Sequence, residues 1–485
     1  MIELAPQRDF IAGTWREPTI QRGESIEHAS TGLATQAQLV SNPAAIEVAL
    51  QAAWALHQNG EWSRQSTDSR AAILDAMADF LEPRIGAIAA AESATTGVII
   101  GTTSMLGFIV HGAFRLAAMQ LRSGVLSTRF DGPAGSEVEV ERWPWGPALL
   151  LCPWNAPAPM AAHKMASALA AGCPVIIKPP ERAPHGSAWL AVAADELGLA
   201  PGLVQLLHGG PEVAAALMND DRVRAVSFTG GIVGGRAVAH ACAEGLKPAQ
   251  LELGGHSPLV IMPDAPLEYA VQATVALLTT LNGQWCRALG RLLVPTERHD
   301  EILDAVTSAL AAVTIGDPLN PSAEMGPIGH SAHLAHLRSR IDALVGLGGT
   351  QHASTPLPDA PGSWLAPTLI SGVDPTHTLE EIFGPVASIH GYSTVEEALA
   401  LANGTRYGLE AYVVGHDVDA AMTLARRVRA GGVKVNGASP ISLNLMAPRA
   451  AFGVSGLHDE GTTETIHFFG GSHVAGVENS LGTTH

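Results

Sequence analysis

The run Asn282-Gly283-Gln284-Trp285-Cys286 sets a thiol just after a glycine, and Glu252-Leu253-Gly254-Gly255 sets a carboxylate before a pair of them. Thiolate is the reactive form of cysteine. A catalytic thiol therefore needs an opened backbone, a nearby donor and access for a substrate, whereas a cysteine that fills a core needs none of these. Cys286 is the candidate nucleophile and Glu252 the candidate base. Either motif alone is weak, and the motifs around them decide the reading.

Cys152-Pro153-Trp154-Asn155-Ala156-Pro157 fixes Asn155 between two prolines. Its amide suits an oxyanion donor, whose loss typically costs ~10²–10³ in rate, or it caps the helix that begins near Met160. Ile176-Ile177-Lys178-Pro179-Pro180-Glu181 delivers Lys178 and Glu181 at the carboxyl end of a strand, where open α/β sheets bind ligands. The two can grip ribose hydroxyls, with Glu181 repelling a 2′-phosphate, or form a surface ion pair. From Val226 through Phe228, Thr229, Gly230 and Gly231 to Gly234 a strand ends, glycines turn and a helix begins, so backbone amides can face a pyrophosphate. The spacing is not the GxGxxG fingerprint, and a tight strand-to-helix turn explains it as well. Glu381-Ile382-Phe383-Gly384-Pro385-Val386 puts a carboxylate before a rigid turn, to grip a ribose or only to shape the chain. His330, His333 and His336 recur three apart. No HExxH motif or carboxylate partner accompanies them, so they read as a solvated helix face and no metal site is expected.

These residues hang on an alternation of strand and helix. Strands are expected at 148–152, 174–178, 203–207, 223–228 and 249–253, and helices at 160–171, 184–197 and 231–243. That rhythm means crossover units and a parallel sheet. Helical spacing also marks 44–58 and 68–95, and 137–143 alternates polar and apolar residues as a half-exposed strand does. A second α/β region runs from about 258 to 435, with Pro/Gly-rich connectors at 316–329 and 355–367. The stretch 464–474, with Ile466, Phe468 and Phe469, is expected to be an apolar strand that can pair with 137–143 across a subunit boundary.

A chain of 485 residues is too long for one ordinary core, so two or three domains are expected. Hydrophobic content of 47% with 15% charged residues describes a well-packed enzyme rather than a disordered chain. The net charge of -18 argues against a nucleic-acid groove. Residues 1–10 carry no signal-peptide pattern and no run of 18 uncharged apolar residues exists, so no membrane span and a cytoplasmic location are expected. Four cysteines do not make a disulfide framework, and Cys152, Cys173 and Cys242 sit among apolar neighbours as core filler.

Taken together and in this order, the motifs resemble the aldehyde dehydrogenase superfamily of the hydrolytic, NAD(P)-dependent type, over about residues 8–470. The resemblance implies an α/β fold with a Rossmann-type cofactor domain (1–125 and 145–251). It also implies a second α/β catalytic domain (252–454) and a small β oligomerisation arm (126–144 and 455–485). It implies Cys286 as nucleophile, Glu252 as general base and Asn155 as oxyanion donor. Lys178 and Glu181 would meet the adenosine ribose; Trp154, Phe228, Thr229, Gly230, Gly231, Gly234 and Leu253 would surround the dinucleotide. Glu381 and Phe383 would meet the nicotinamide ribose and ring, and Glu460 is the carboxylate behind the site. Residues 403–409 and 431–437 match two further structural signatures. The implied cofactor is NAD, with NADP possible; the implied substrate is an aldehyde, and the implied assembly a homodimer or homotetramer. In the implied mechanism the Cys286 thiolate attacks the aldehyde, Asn155 and the Cys286 amide hold the oxyanion, hydride passes to the nicotinamide, and Glu252 activates the water that hydrolyses the thioester.

The chain also departs from the family pattern. Gly231 stands where many members have Ser, and Ala156 where a Phe often lines the substrate tunnel. Pro448-Arg449-Ala450-Ala451-Phe452-Gly453 keeps only part of a Pro-Phe-Gly-Gly, aromatic, Lys run, and Asp459 stands where Arg is common. Ala156, Trp285, Arg287 and Phe452 are read as the wall of a pocket for a bulky apolar or aromatic aldehyde, with Arg287 either binding an anionic group or forming a structural ion pair. Three rivals stay open. A CoA-acylating dehydrogenase generally lacks the Glu252 base, a cysteine hydrolase or acyltransferase without a redox step needs a His partner, and a non-enzymatic protein needs none of these residues.

Overall fold

The computed structural model describes residues 4–133 and 136–478. Its first sheet carries five parallel strands at its centre, in the spatial order Ala249–Glu252, Ala225–Thr229, Ala148–Leu151, Val175–Lys178, Val204–Leu206. Short antiparallel strands extend both edges: Gly456–Leu457 beside Ala249–Glu252, and the hairpin Asp9–Ile11 and Thr14–Arg16 beyond Val204–Leu206. Strands buried on both faces read as unbroken apolar runs rather than alternating ones, which is why Ala148–Leu151 (ALLL) and Val175–Lys178 (VIIK) stand out in the sequence. From Ala148–Leu151 the chain lays its next two strands on one side and the following two on the other. The order therefore reverses between Ala148–Leu151 and Ala225–Thr229, and a crevice opens at the carboxyl ends of those two strands.

Helices cover the sheet for local reasons that are visible in the chain. Pro43–Asn59 starts on Asn42, whose side chain accepts from Ala45 N, and stops at Gly60 in a left-handed turn. Thr67–Leu81 starts on Ser66, which accepts from Ser69 N. Ile100–Arg122 is long and apolar enough to cross a membrane by length and composition. It nevertheless turns Val110, Phe114, Ala117 and Leu121 into the first core. Pro157–Ala171 is buried along nearly its whole length and leaves from the crevice itself.

The second sheet is parallel except for the edge strand Thr350–His352. Its order is Thr350–His352, Thr368–Ser371, Val386–Tyr392, Leu289–Pro295, Ser257–Ile261, Glu410–Val414, Gly432–Val435. A third, antiparallel sheet joins Ser127–Asp131, Glu137–Pro144 and Gly470–Gly476. Glu137–Pro144 alternates exposed and half-buried residues along its length, as its period of two requires.

Two expectations for the C-terminus need correction. The apolar part of 464–474 is not a strand: Thr462–Phe468 is a helix, and Ile466 and Phe469 belong to the first core. The strand begins only at Gly470, and it pairs with Glu137–Pro144 of the same chain rather than across a subunit boundary. The described residues of 455–485 are thus divided: Gly456–Leu457 and the helix lie with the first sheet, and Gly470–Gly476 joins the arm.

Candidate active site

The loop that carries Cys286 is locked before the thiol is reached. Leu281, Asn282 and Gly283 all lie in the left-handed region, at φ 49°, 56° and 67°. A non-glycine residue there costs roughly 1–2 kcal/mol. Asn282 offsets this with three hydrogen bonds, each worth about 1 kcal/mol: its Nδ2 donates to Gly97 O at 2.8 Å and Pro327 O at 2.9 Å, and its Oδ1 accepts from Gly326 N at 2.9 Å. A Cβ on Gly283 would collide with the backbone of Pro385, so only glycine fits. Gln284, fully buried, accepts from Gly329 N at 2.9 Å. Its backbone carbonyl receives the Asn155 amide: Asn155 Nδ2 donates to Gln284 O at 2.9 Å. Asn155 comes from the crevice of the first sheet, so this bond ties the candidate oxyanion donor to the nucleophile's own loop, with the second N–H of the amide left to donate.

Cys286 is half-buried, while Cys152, Cys173 and Cys242 are fully buried and, like it, free. Desolvation pushes the Cys286 thiol up to about 12, against the pull of the neighbouring Arg287 cation, with Glu252, Glu381 and Glu460 adding to the rise. Gly255 packs its backbone onto the Cys286 carbonyl so closely that a Cβ would collide with that oxygen.

Glu252 ends the strand Ala249–Glu252 beside the turn at Gly230, whose N–H donates to Glu252 O at 3.0 Å. Its side chain is buried, and Oε1 has no hydrogen-bond partner. Burial, and then the charge of Glu460, push its carboxyl above the usual carboxylate range, while Arg287, Arg449 and Lys164 pull the other way. Glu460 differs in one respect: it has cations in contact. Arg449 Nη2 donates to its Oε2 at 2.9 Å, and Lys164 Nζ lies 3.5 Å from its Oε1. Burial opposes the charge on Glu460 too, but Arg449 and Lys164 outweigh it and hold this carboxyl well below the usual range.

On the cofactor side, Lys178 Nζ donates to Glu181 Oε1 at 2.9 Å, to Gly209 O at 2.8 Å and to Pro179 O at 3.1 Å. The strand Ala225–Thr229 delivers Phe228 and Thr229 to Gly230 and Gly231, and the helix Ile232–Glu244 begins on Gly231 with no side-chain cap. Space above Gly231 is open, and Thr229 Oγ1 is buried without a partner. Gly234, one turn on, packs on the Phe228 ring, and Leu253 N donates to Ser455 O at 2.8 Å. Glu381 Oε1 accepts from Gly255 N at 3.0 Å, and burial raises its carboxyl to about 7. Trp154 stands edge-on to Phe383 at 5.7 Å between ring centres. An uncapped helix start, an orphaned hydroxyl and a carboxylate facing a glycine turn are partners suited to the phosphates and riboses of a dinucleotide.

The histidines are a correction. His330 and His333 are not a solvated face: both pack edge-on against Trp154, and His333 Nε2 bonds Phe383 O at 2.8 Å. Among the described residues no group of His, Cys, Asp or Glu can hold a metal.

The substrate-side residues separate. Ala156 is half-buried at the start of Pro157–Ala171 and packs, with Cys286, against the second core. Trp285 is not on an open wall but buried in that core, behind a small cavity that also touches Glu381 and Phe383. Arg287 takes the ion-pair alternative: its Nη1 lies 3.4 Å from Glu410 Oε2, a carboxylate that Lys434 shares at 3.5 Å. Phe452 is exposed on the 448–453 turn, its N–H donating to Gly408 O at 2.9 Å.

Sequence reasoning missed Lys164, Arg449, His333 and Gln284. For Lys164 a signal existed: His163-Lys164 are the only residues that can carry a cation in the otherwise apolar run of Pro157–Ala171, and Lys164 is fully buried there. A buried lysine demands an anion.

The aldehyde dehydrogenase family model matches residues 15–473, and the chain belongs to that family. It is 33% identical to geranial dehydrogenase of Castellaniella defragrans over 464 residues, 95% of this chain and 96% of the relative. Betaine aldehyde dehydrogenase of Staphylococcus aureus, solved in complex with NAD+, superposes with a TM-score of 0.92 at 27% identity, covering 98% of this chain and 97% of that one or slightly less. Aldehyde dehydrogenase C of Pseudomonas syringae, solved as a cysteine-to-alanine mutant with NAD+ and octanal, gives a TM-score of 0.90 at 29% identity over 97% of each chain.

Proposed function

We propose that this protein oxidises an aldehyde to the carboxylic acid with NAD, through a covalent bond to Cys286. The observation that carries the reading is the 2.9 Å bond from Asn155 Nδ2 to Gln284 O, which holds an oxyanion donor on the nucleophile's loop. Cys286 attacks the carbonyl carbon as thiolate after its proton has passed to solvent; desolvation raises the thiol, and the Arg287 cation pulls the other way, towards the thiolate. Asn155 and the Cys286 N–H stabilise the alkoxide. NAD, held there, would supply the hydride acceptor, and loss of the hydride would leave a thioester on Cys286. Glu252 takes a proton from water, and the resulting hydroxide releases the acid and restores the thiol. Lys178 and Glu181 would hold the adenosine ribose, the turn 229–231 the pyrophosphate, and Glu381 with Phe383 and Trp154 the nicotinamide end. Mixing protein, aldehyde and NAD with and without CoA tests the reading. Reduced cofactor should form at the same rate either way; dependence on CoA, or acyl transfer without cofactor reduction, would overturn it.

NAD is expected to give a higher kcat/KM than NADP. Glu181 is held by Lys178 at 2.9 Å, and its carboxylate accepts from a 2′-hydroxyl but repels a 2′-phosphate. Steady-state kinetics with both cofactors check this, and a preference for NADP would remove Glu181 from its assigned place.

The substrate we assign is a bulky apolar or aromatic aldehyde. Ala156, small and half-buried, packs with Cys286 against one core where an aromatic ring would take up space, and Glu410 occupies Arg287, which removes the obvious anion-binding group. The likeness to a geranial dehydrogenase, and to an enzyme solved with octanal, supports the same class. Ala156→Phe should cut kcat/KM for a branched or aromatic aldehyde by about tenfold or more and change acetaldehyde little, since one group's fit in an apolar pocket is worth about 1–3 kcal/mol. Equal loss on all substrates would refute the wide pocket.

The chain is assigned to the cytoplasm, where its four free thiols stay reduced, and to a homo-oligomer. On one face the arm presents Phe130 and Val474 to solvent, paired with half-buried Val138 and Val140, an apolar strip suited to a second copy. Light scattering at micromolar concentration should give a dimer or tetramer mass; a monomer would refute the assignment.

A further inference from the structure

Arg449, on the 448–453 turn, does more than cap a loop. Its backbone and that of Glu460 form a two-way bridge, Arg449 N to Glu460 O at 2.6 Å and Glu460 N to Arg449 O at 2.9 Å, which fixes the two side chains against one another. The guanidinium then meets Glu460 Oε2 at 2.9 Å, reaches His163 Nε2 at 3.4 Å and Ser442 Oγ at 3.5 Å. Lys164 stands on the opposite carboxylate oxygen and is steadied by donating to Ser227 Oγ at 2.7 Å. Two cations therefore serve one buried carboxylate, Arg449 through a hydrogen bond and Lys164 at ion-pair distance, while neighbouring Glu252 forms no ion pair among the described residues; Oε1 of each lacks a hydrogen bond.

We propose that Arg449 is a positioning residue that keeps Glu460 a permanent anion, so that Glu252 alone takes up and releases the proton during hydrolysis. Charges of one sign sharing a site push each other's proton affinity up, and the carboxyl with fewer cations is the one that protonates. The groups facing this pair are Lys164 and His163 from the helix Pro157–Ala171, Cys286 and Arg287 from the nucleophile loop, and Arg449 itself. Burial, together with the Arg449 and Lys164 cations, keeps His163 neutral, near 4, against the pull of Glu460, so it does not compete as a cation at working pH.

The proposal rests on the reading of Glu252 as the water base, and the test has a readout that does not. Infrared titration of the protonated-carboxyl band, assigned by its loss in Glu252→Gln, follows Glu252 without turnover; the acid limb of kcat follows it with turnover. In the wild type the band that Glu252→Gln removes should titrate above the usual carboxylate range, beside the bands of other buried carboxyls such as Glu92 and Glu381. Arg449→Met should bring a second protonated-carboxyl band, that of Glu460, into the titration, and Arg449→Lys should abolish it, while the Glu252 band and the acid limb report the charge left on Glu460. Glu460→Gln, which leaves the two cations unopposed, should move both to lower pH, and it serves if the arginine variant does not fold. Superimposable titrations in Arg449→Met and wild type, or no shift in Glu460→Gln, would overturn the proposal. Bands that shift as stated in a protein that oxidises no aldehyde would instead sink the functional reading and leave the electrostatic assignment standing.

Discussion

Cys286→Ala should lower kcat for aldehyde oxidation by something on the order of 10⁶-fold, the scale on which loss of a covalent nucleophile falls, and leave NAD binding unchanged. The thiol contributes nothing to the shape of its loop. That shape is set by Asn282 on Gly97, Gly326 and Pro327, by Gln284 on Gly329, and by the close contact of Gly283 with Pro385. Removing Sγ therefore takes away the nucleophile and little else. Absorbance of the reduced cofactor at saturating aldehyde, with calorimetric titration of NAD, separates the two effects. A variant that still oxidises aldehyde near the wild-type rate would mean that the nucleophile is another group. A variant that loses NAD as well would mean that the thiol shapes the cofactor site.

Glu252→Gln should separate the two half-reactions. Oxidation needs no base at the water, so a first equivalent of reduced cofactor should form quickly. Hydrolysis should then slow by about 10²–10⁴-fold, the usual contribution of a positioned general base, and acyl-enzyme should accumulate. Stopped-flow absorbance reads the burst, and intact-mass spectrometry reads the acylated chain. Equal loss of burst and steady state would remove Glu252 from its role. The same carboxylate sets the pH dependence in the wild type. Burial and Glu460 raise its proton affinity, and only the ionised form accepts a proton. The hydrolytic rate should thus climb with pH through a value above the ordinary carboxylate range, tenfold per unit on the acid side.

The order of strands and helices between 148 and 253 was legible because these strands are buried on both faces and bounded by prolines and glycines. Each predicted strand there appears within two residues of its ends. The C-terminus misled for the opposite reason: an apolar, aromatic run such as 464–469 suits a strand or a short helix equally. The choice fell to packing of Ile466 and Phe469 against the first core, which no local pattern encodes. Cys286, Glu252 and Asn155 could be picked out because each stands in a short motif with glycine or proline beside it. Lys164 could not be paired with Glu460, which lies at the other end of the chain, and Arg449, though 11 residues from Glu460, meets it only through a backbone bridge that no local pattern encodes. The His330 and His333 pattern was visible, but its partner Trp154 lies far upstream, so the spacing suggested water where the fold supplies aromatic rings.

The groups that hold Cys286 in place are all amides: Asn155, Asn282 and Gln284, bonded to backbone. None of them gains or loses a proton at any pH the protein survives, and salt screens none of them appreciably. The charged groups, in contrast, are gathered around Glu252 and Glu460 and behind Arg287. Architecture and proton chemistry are thus assigned to different kinds of side chain. Acid or ionic strength acts on the titrating groups while the thiol stays aimed, so a kinetic pH profile of this enzyme reads its thiol and carboxylates and not a loop that is coming apart.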